Sequence, residues 1–286
     1  MTRTLRALLA LPAALLLGAC SKLFFTVQNV KVDDSSIQSV VFDSAHDLSL
    51  DVHRAKNASG KVPVVVFIHG GSWQTGTRQD YRFVGQSLSN AGMLVFVPDF
   101  RQAPQVAFPA FVEDSARAVA WARNHASQYG GDPSRIFLIG HSSGAHITAM
   151  LGTDAQYLKA VGMQPRDLAG IVGLSGPYDF LPITDPKLKP IFNPLSRWPL
   201  SQPVNFVDGD EPPFLLVQGT SDSTVRPRNT TSLAAKLGAQ NEPVQVEMVE
   251  GAGHLTTLLE ATKDDSNVRA RVLEFVRGAM GHADAH

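Results

Sequence analysis

The chain has a single cysteine, Cys20, in 286 residues. An internal disulfide framework is therefore excluded, even for an exported protein. Charge is sparse and balanced. Charged residues make up 18% of the chain and the net charge is -1, so the basic footprint of a nucleic-acid binder is missing, as is electrostatic attraction to anionic headgroups. Internal repeats, coiled-coil heptads, metal-ligand clusters and phosphate-binding glycine loops are also missing from the pattern. No cofactor or metal is implied. The longest apolar run is too short for a spanning helix. Hydrophobic residues, by contrast, reach 44%, ample for the core of one large domain or at most two.

The N-terminus carries its own message. Arg3 and Arg6 precede an apolar stretch, Ala7 to Leu17, closed by the small residues Gly18 and Ala19. A basic flank, a short apolar run and small residues describe a secretory signal peptide over 1–19. Leu17-Gly18-Ala19-Cys20 resembles the lipobox of bacterial lipoproteins. The resemblance implies cleavage before Cys20, lipidation of that residue and membrane attachment through it. Ser21 resembles the outer-membrane sorting pattern of a Gram-negative host, which implies a lipid-anchored protein of the bacterial cell envelope facing the periplasm. Residues 20–35 read as a tether, 36–280 as the folded domain and 281–286 as a flexible tail.

Within the domain, Val40 to Val52 suggests an antiparallel hairpin. Apolar strand patterns near 64–68, 93–97, 135–139, 169–174, 213–217 and 244–249 then alternate with helical patterns near 80–91, 110–128, 143–152, 229–238 and 266–279. Strict strand–helix alternation implies an α/β fold, with a mostly parallel central sheet and helices on both faces. Phe180 to Pro213 breaks the alternation. It is rich in proline, with Phe192 and Trp198 among polar residues. Long irregular segments inside compact domains are usually lids or binding loops, so 180–213 reads as a small cap.

The chemistry is concentrated at strand ends. Gly140-His141-Ser142-Ser143-Gly144 sits between the apolar run Arg135 to Ile139 and a helical pattern. Strand, G-x-S-x-G, helix is the context of a nucleophile elbow, which lifts a serine above the sheet. A serine hydroxyl needs a base, an acid that orients the base and donors for the developing oxyanion. Asp222 follows the apolar strand Phe214 to Val217. His254 follows the alternating strand Val244 to Val249, after Gly251-Ala252-Gly253. The order Ser142, Asp222, His254 is the one the elbow demands. His69-Gly70-Gly71-Ser72-Trp73 follows the β-branched run Val64 to Ile68. Its glycines let the backbone approach a substrate oxygen. The N–H groups of Gly71, Ser72 and Ser143 are the expected oxyanion donors.

On these motifs the chain resembles the α/β-hydrolase superfamily, in its carboxylesterase and lipase branch. It is similar to bacterial HGGxW esterases near the feruloyl/acetyl-esterase-like, prenylcysteine-methylesterase-like and kynurenine-formamidase-like groups. Pro98-Asp99-Phe100-Arg101, Phe108-Pro109 through Trp121, and Tyr129-Gly130-Gly131-Asp132-Pro133 carry the resemblance as well, which covers about residues 36 to 278. Two departures separate it from the hormone-sensitive-lipase pattern: Ser72 replaces a third glycine, and His141 precedes the nucleophile instead of an acid. The resemblance implies a serine carboxylesterase acting on small ester substrates through an acyl-enzyme. An arylformamidase-type amidase would use the same three residues. A peptidase is a further alternative, without the propeller domain that would restrict access. A non-enzymatic hydrolase-fold binding module would be expected to have lost one of the three.

Rivals and neighbours complete the reading. Asp179 is the alternative acid to Asp222, or a turn residue. His146, one helical turn after Ser142, is expected to pack in a helix interface. His46 and His53 have no partner in view. Asp99 and Arg101 follow a strand and read as a loop-stabilising ion pair, with contact to substrate as the alternative. Trp121 belongs on a core-facing helix stripe. Trp73 is expected to wall the acyl pocket, with Tyr178 and Phe180 as further pocket residues. A bulky Trp73 and a short cap predict preference for acetyl to butyryl groups.

Overall fold

The computed structural model describes residues 22–278. The leader at 1–19, Cys20 and the tail at 281–286 lie outside the described residues. Eight strands are formed: β1 (Ile37–Asp43), β2 (Leu48–His53), β3 (Val62–Ile68), β4 (Leu94–Pro98), β5 (Gly131–His141), β6 (Leu168–Leu174), β7 (Phe214–Gly219) and β8 (Val244–Val249). They build one sheet in the order β1-β2-β4-β3-β5-β6-β7-β8. β2 is antiparallel to β1 and β4, and all later neighbours are parallel. This is the α/β-hydrolase sheet. The chain leaves β3 for β4 on one side and returns to β5 on the other. Ligand crevices of open sheets form at such a switch, outside the carboxyl ends of the strands.

The strands are apolar on both faces because both faces are covered. Along β3, Val64, Val66 and Ile68 enter one core layer, while Val65 and Phe67 enter the other. The first layer is closed by α3 (Ala110–His125), α4 (Ser143–Thr153), α5 (Ala155–Lys159) and α7 (Arg228–Ala239). The second is closed by α2 (Arg82–Asn90), α8 (His254–Thr262) and α9 (Asn267–Gly278).

Three regions differ from the sequence reading. Within the segment read as a tether, residues 22–29 form a helix, α1, against the start of α2. The Asn29 side chain donates to the Asp80 carbonyl at 2.8 Å and accepts from the Phe83 N–H at 3.0 Å. The segment is short, and its docking depends on partners over fifty positions away. The cap carries structure of its own, namely α6 (Lys189–Phe192) and 3-10 turns at Leu195–Ser201 and Pro203–Asn205. Phe192 is wholly buried there. Asp99 and Arg101 do pair, but not with each other. Asp99 takes Arg78, and Arg101 joins Arg117 on the buried carboxylate of Asp114. Arg117 also reaches Asp43 of β1 at 2.6 Å, and Asp43 is the partner of His46. Buried Asp51 of β2 likewise holds both Arg78 and Arg82. These networks tie the N-terminal hairpin to the parallel body.

Candidate active site

Ser142 occupies the single residue between β5 and α4, with φ 55° and ψ -122°. An L-residue rarely adopts such angles, and the surrounding structure must hold it there. Two glycines permit the turn. A Cβ on Gly140 would lie 2.4 Å from the Gly144 carbonyl oxygen, and one on Gly144 would lie 2.0 Å from that of Ile68. The strand, the helix and the end of β3 therefore meet only without side chains at these positions. The Ser142 N–H donates to the Leu174 carbonyl at 2.9 Å, which pins the elbow to β6.

His254 comes to this serine from far along the chain. It is the first residue of α8, a helix absent from the sequence reading, and not part of an open loop. The two strand-end loops that carry Asp222 and His254 are laced together. The Ser221 N–H donates to Ala252 O at 3.0 Å, and the Gly251 N–H donates to the Thr220 hydroxyl at 2.8 Å. As a result Ser142 Oγ lies 2.8 Å from His254 Nε2, and His254 Nδ1 lies 2.8 Å from Asp222 Oδ2. The other Asp222 oxygen accepts the N–H groups of Thr224 and Val225, both at 2.9 Å. Burial alone would raise the Asp222 carboxyl. The hydrogen bonds from His254, Val225 and Thr224 outweigh it and hold the group below the usual carboxylate range. An ionised Asp222 thus fixes the His254 tautomer with its proton on Nδ1, leaving Nε2 to accept from Ser142. Asp179 is not part of this chain; its backbone N–H is bound by Asn229.

The loop after β3 is strained at three successive residues. Gly71 has φ 132°, and Ser72 and Trp73 have φ 54° and 59°. A Cβ on Gly71 would lie 1.9 Å from the Thr75 carbonyl oxygen. Among the described residues, the N–H groups of Gly71, Ser72 and Ser143 donate no hydrogen bond within the chain. Ser143 opens α4, whose first N–H groups have no intrahelical partner. A Cβ on Gly70 would be 3.0 Å from the His141 carbonyl oxygen, so this loop abuts the elbow directly.

The pocket residues need correction. Tyr178 is wholly buried, its ring packed against Gly173 and Gly176, and it offers no surface to a substrate. Trp73 is 3% exposed. Its ring packs with Phe111, Phe180 and Phe192 at centroid distances of 6.3, 5.9 and 4.9 Å. Phe180 is half-buried and covers this cluster. His146 is buried in the helix interface, as expected, and bonds to Trp73 and to Ser201 of the cap. Sequence reasoning missed His141. Its Nε2–H donates to the His254 carbonyl at 3.2 Å, so the residue before Ser142 braces the backbone of His254. Burial, with the nearby His254 ring, pushes the His141 imidazole down to about 3. Among the described residues, no group of three or more His, Cys, Asp and Glu is placed to hold a metal ion.

The family model named BD-FAE matches residues 50–237, more than half of the chain. The chain belongs to the BD-FAE family. The match runs from β2 to α7. It includes the Gly71 loop, Ser142 and Asp222, while His254 lies beyond it. A relative is the probable isoprenylcysteine alpha-carbonyl methylesterase ICMEL1 of Arabidopsis thaliana. It is 30% identical over 78% of this chain and 52% of its own. This BD-FAE chain spans about half the length of the curated relatives it matches. Among solved structures, a truncated carbohydrate esterase from gut microbiota superposes with a TM-score of 0.74 at 21% identity, over 87% of this chain and 98% of that one. Propionate-bound esterase 2 of Thermogutta terrifontis gives 0.71 at 20% identity, over 87% and 94%.

Proposed function

We propose that this chain is a serine carboxylesterase for short-chain esters. The observation that carries the reading is the continuous hydrogen-bonded chain from Ser142 through His254 to a carboxylate held ionised. The family and the esterase names of its relatives support it.

Ser142 Oγ attacks the ester carbonyl while His254 Nε2 takes its proton. Asp222 stabilises the imidazolium and keeps the ring in place. The developing oxyanion is received by the N–H groups of Gly71, Ser72 and Ser143, each worth about 3 kcal/mol of barrier in comparable sites. The tetrahedral intermediate collapses, His254 gives its proton to the departing alcohol, and an acyl-Ser142 remains. Water, deprotonated by His254, attacks this acyl-enzyme. The acid is released and Ser142 recovers its proton.

The acyl group is short in this reading, because Trp73, Phe180 and Phe192 already fill the space behind the Gly71 loop. The propionate seen in the Thermogutta esterase fits that expectation. A fluorophosphonate probe tests the nucleophile, and a series of esters with graded acyl chains tests the substrate. Wild-type protein that does not react with the probe, when Ser142→Ala does not either, overturns the enzymatic reading. An optimum at long acyl chains overturns only the short-chain part.

The cellular reading is also proposed. Cys20 carries the lipid anchor and the enzyme works in the cell envelope, on the periplasmic face of the outer membrane. Incorporation of labelled palmitate into wild-type protein, and its loss in Cys20→Ser, is the expected result. Unlabelled wild-type protein overturns it.

A further inference from the structure

Helix α1 has two faces of opposite character. Its inner face is fixed to the body: the Phe25 ring lies 4.8 Å from the Tyr81 ring, and Asn29 is held at both ends of its amide. Just beyond the helix, the Gln86 side chain accepts from the Asp33 N–H and donates to the Lys31 carbonyl. The helix therefore cannot roll about its axis. Its outer face carries Leu23 and Val27, and Val30 in the turn that ends the helix continues the row, spaced i, i+4 and i+7; the three are 65%, 57% and 75% exposed. Large apolar side chains this exposed are few in the described chain, and here three stand in one row.

The position of the row says what covers it. Cys20 precedes Lys22, the first described residue of α1, by two positions. Two residues of chain reach at most about 7 Å. A lipid on Cys20 enters the bilayer within that distance of the start of α1, and the row extends only about 12 Å further along the helix, so the nearest apolar phase is the membrane itself. The net charge of -1 offers no competing electrostatic attraction. A short helix with one apolar face lies in the plane of the interface, its apolar side at the boundary of headgroups and acyl chains.

We infer that α1 is a membrane-docking helix, with Leu23, Val27 and Val30 seated in the bilayer interface beside the Cys20 anchor. The catalytic body is then clamped to the membrane in one orientation and does not swing on a tether. The rings of Phe25, Tyr81 and His69 follow one another at 4.8 and 5.7 Å, so the docked helix is one ring layer from the loop proposed to bind the oxyanion. The inference rests on the proposed lipidation of Cys20.

The test uses full-length protein purified from its lipidating host, in which acylation blocks the one native thiol. Val27→Cys, and Gln240→Cys on the far side of the body, are each labelled with an environment-sensitive fluorophore. They are reconstituted into phosphatidylethanolamine–phosphatidylglycerol vesicles containing spin-labelled lipid. The expected result is quenching several-fold stronger at position 27 than at 240. A second variant, Leu23→Ser with Val30→Ser, added to the Val27→Cys protein should cut that quenching by at least half while leaving turnover of a soluble ester unchanged. Equal quenching at the two positions in protein shown by mass to be lipidated overturns the inference alone. Protein found without lipid overturns the anchor reading and the inference with it. Burial of the position-27 probe that needs no vesicles and grows with protein concentration shows a second copy on this face, and also overturns it.

Discussion

The indole N–H of Trp73 donates to Nδ1 of His146 at 3.1 Å, and the opposite ring nitrogen of His146 donates to the Ser201 carbonyl at 2.8 Å. One buried imidazole thus joins the Gly71 loop, the helix that begins beside Ser142, and the cap. Burial pushes this ring down to about 4, so it is neutral near pH 7. A neutral ring has one donor and one acceptor, and both are used. The link is uncharged and directional, suited to holding three segments in register around a site.

Breaking that link has two separable effects. Trp73→Phe keeps most of the volume but leaves Nδ1 of His146 buried without a partner, at a cost of about 1–3 kcal/mol. Trp73→Ala also opens a cavity and should cost about 3–5 kcal/mol. If Trp73 walls the acyl site as proposed, Trp73→Ala should extend activity toward longer acyl chains, whereas Trp73→Phe should not. Thermal denaturation and a chain-length series read the two effects. An identical chain-length profile in both variants and the wild type would place the acyl wall elsewhere.

The nucleophile, base and acid should fail by different amounts. Ser142→Ala and His254→Ala should lower kcat by several powers of ten with the fold intact by circular dichroism. Asp222→Asn should cost about 10²–10⁴-fold, because it presents the wrong tautomer of His254 rather than removing it. Asp179→Asn should stay near wild type, since His254 is bonded to Asp222. Loss of activity in Asp179→Asn with retention in Asp222→Asn would reverse the assignment of the acid.

Two glycines should respond differently to one added methyl group. In Gly144→Ala the Cβ meets the Ile68 carbonyl inside the core, so the expected outcome is a protein that folds poorly or not at all. In Gly71→Ala the clash is with the Thr75 carbonyl in a surface turn. That loop can shift, moving the proposed oxyanion donors. The expected result is a loss of about 10²–10³-fold in kcat in a protein that still folds, with a melting temperature lowered by the strain of alanine at positive φ. Unaltered kcat in Gly71→Ala would remove this loop from the oxyanion site.

Acid should unfold the protein through its buried histidines. Burial pushes His53 and His146 down to about 4 and His141 down to about 3, from about 6.5 in an unfolded chain. The unfolded state binds protons first as pH falls, so the stability these rings contribute is complete above about pH 6.5. It is lost progressively as pH drops toward their folded values. Each ring adds a slope of up to about 1.4 kcal/mol per pH unit in that window. Asp222, held below its ordinary value, works in the same direction at lower pH. Melting temperature measured from pH 8 to 4 should be flat at first and then fall steadily below about pH 6. A melting temperature unchanged down to pH 4.5 would show that these rings accept protons in the folded state at no cost.

Residue order and spacing alone determined the local parts of this protein. The alternation of apolar strands with amphipathic helices can be satisfied by a parallel sheet covered on both faces, and little else. Gly140 and Gly144 around Ser142 allow a turn that side chains would block, so the elbow was legible from five residues. The order Ser142, Asp222, His254 followed from the elbow. What tertiary structure decided was every feature whose energy comes from partners distant in the chain. Tyr178 and Phe180 read alike as aromatic loop residues, yet packing buries the first completely and leaves the second half open. His254 reads as a loop residue after two glycines, yet it starts a helix whose Leu258 and Ala261 complete the second core layer. His141 carries no local sign of its role, because the carbonyl it braces is 113 residues away. The short stretch before β1 resembles a tether until Asn29 finds Asp80 and Phe83. Periodicity and steric exclusion act over a few neighbouring residues and can be read in order along a chain. Burial and hydrogen-bond pairing are settled only when the whole chain has condensed.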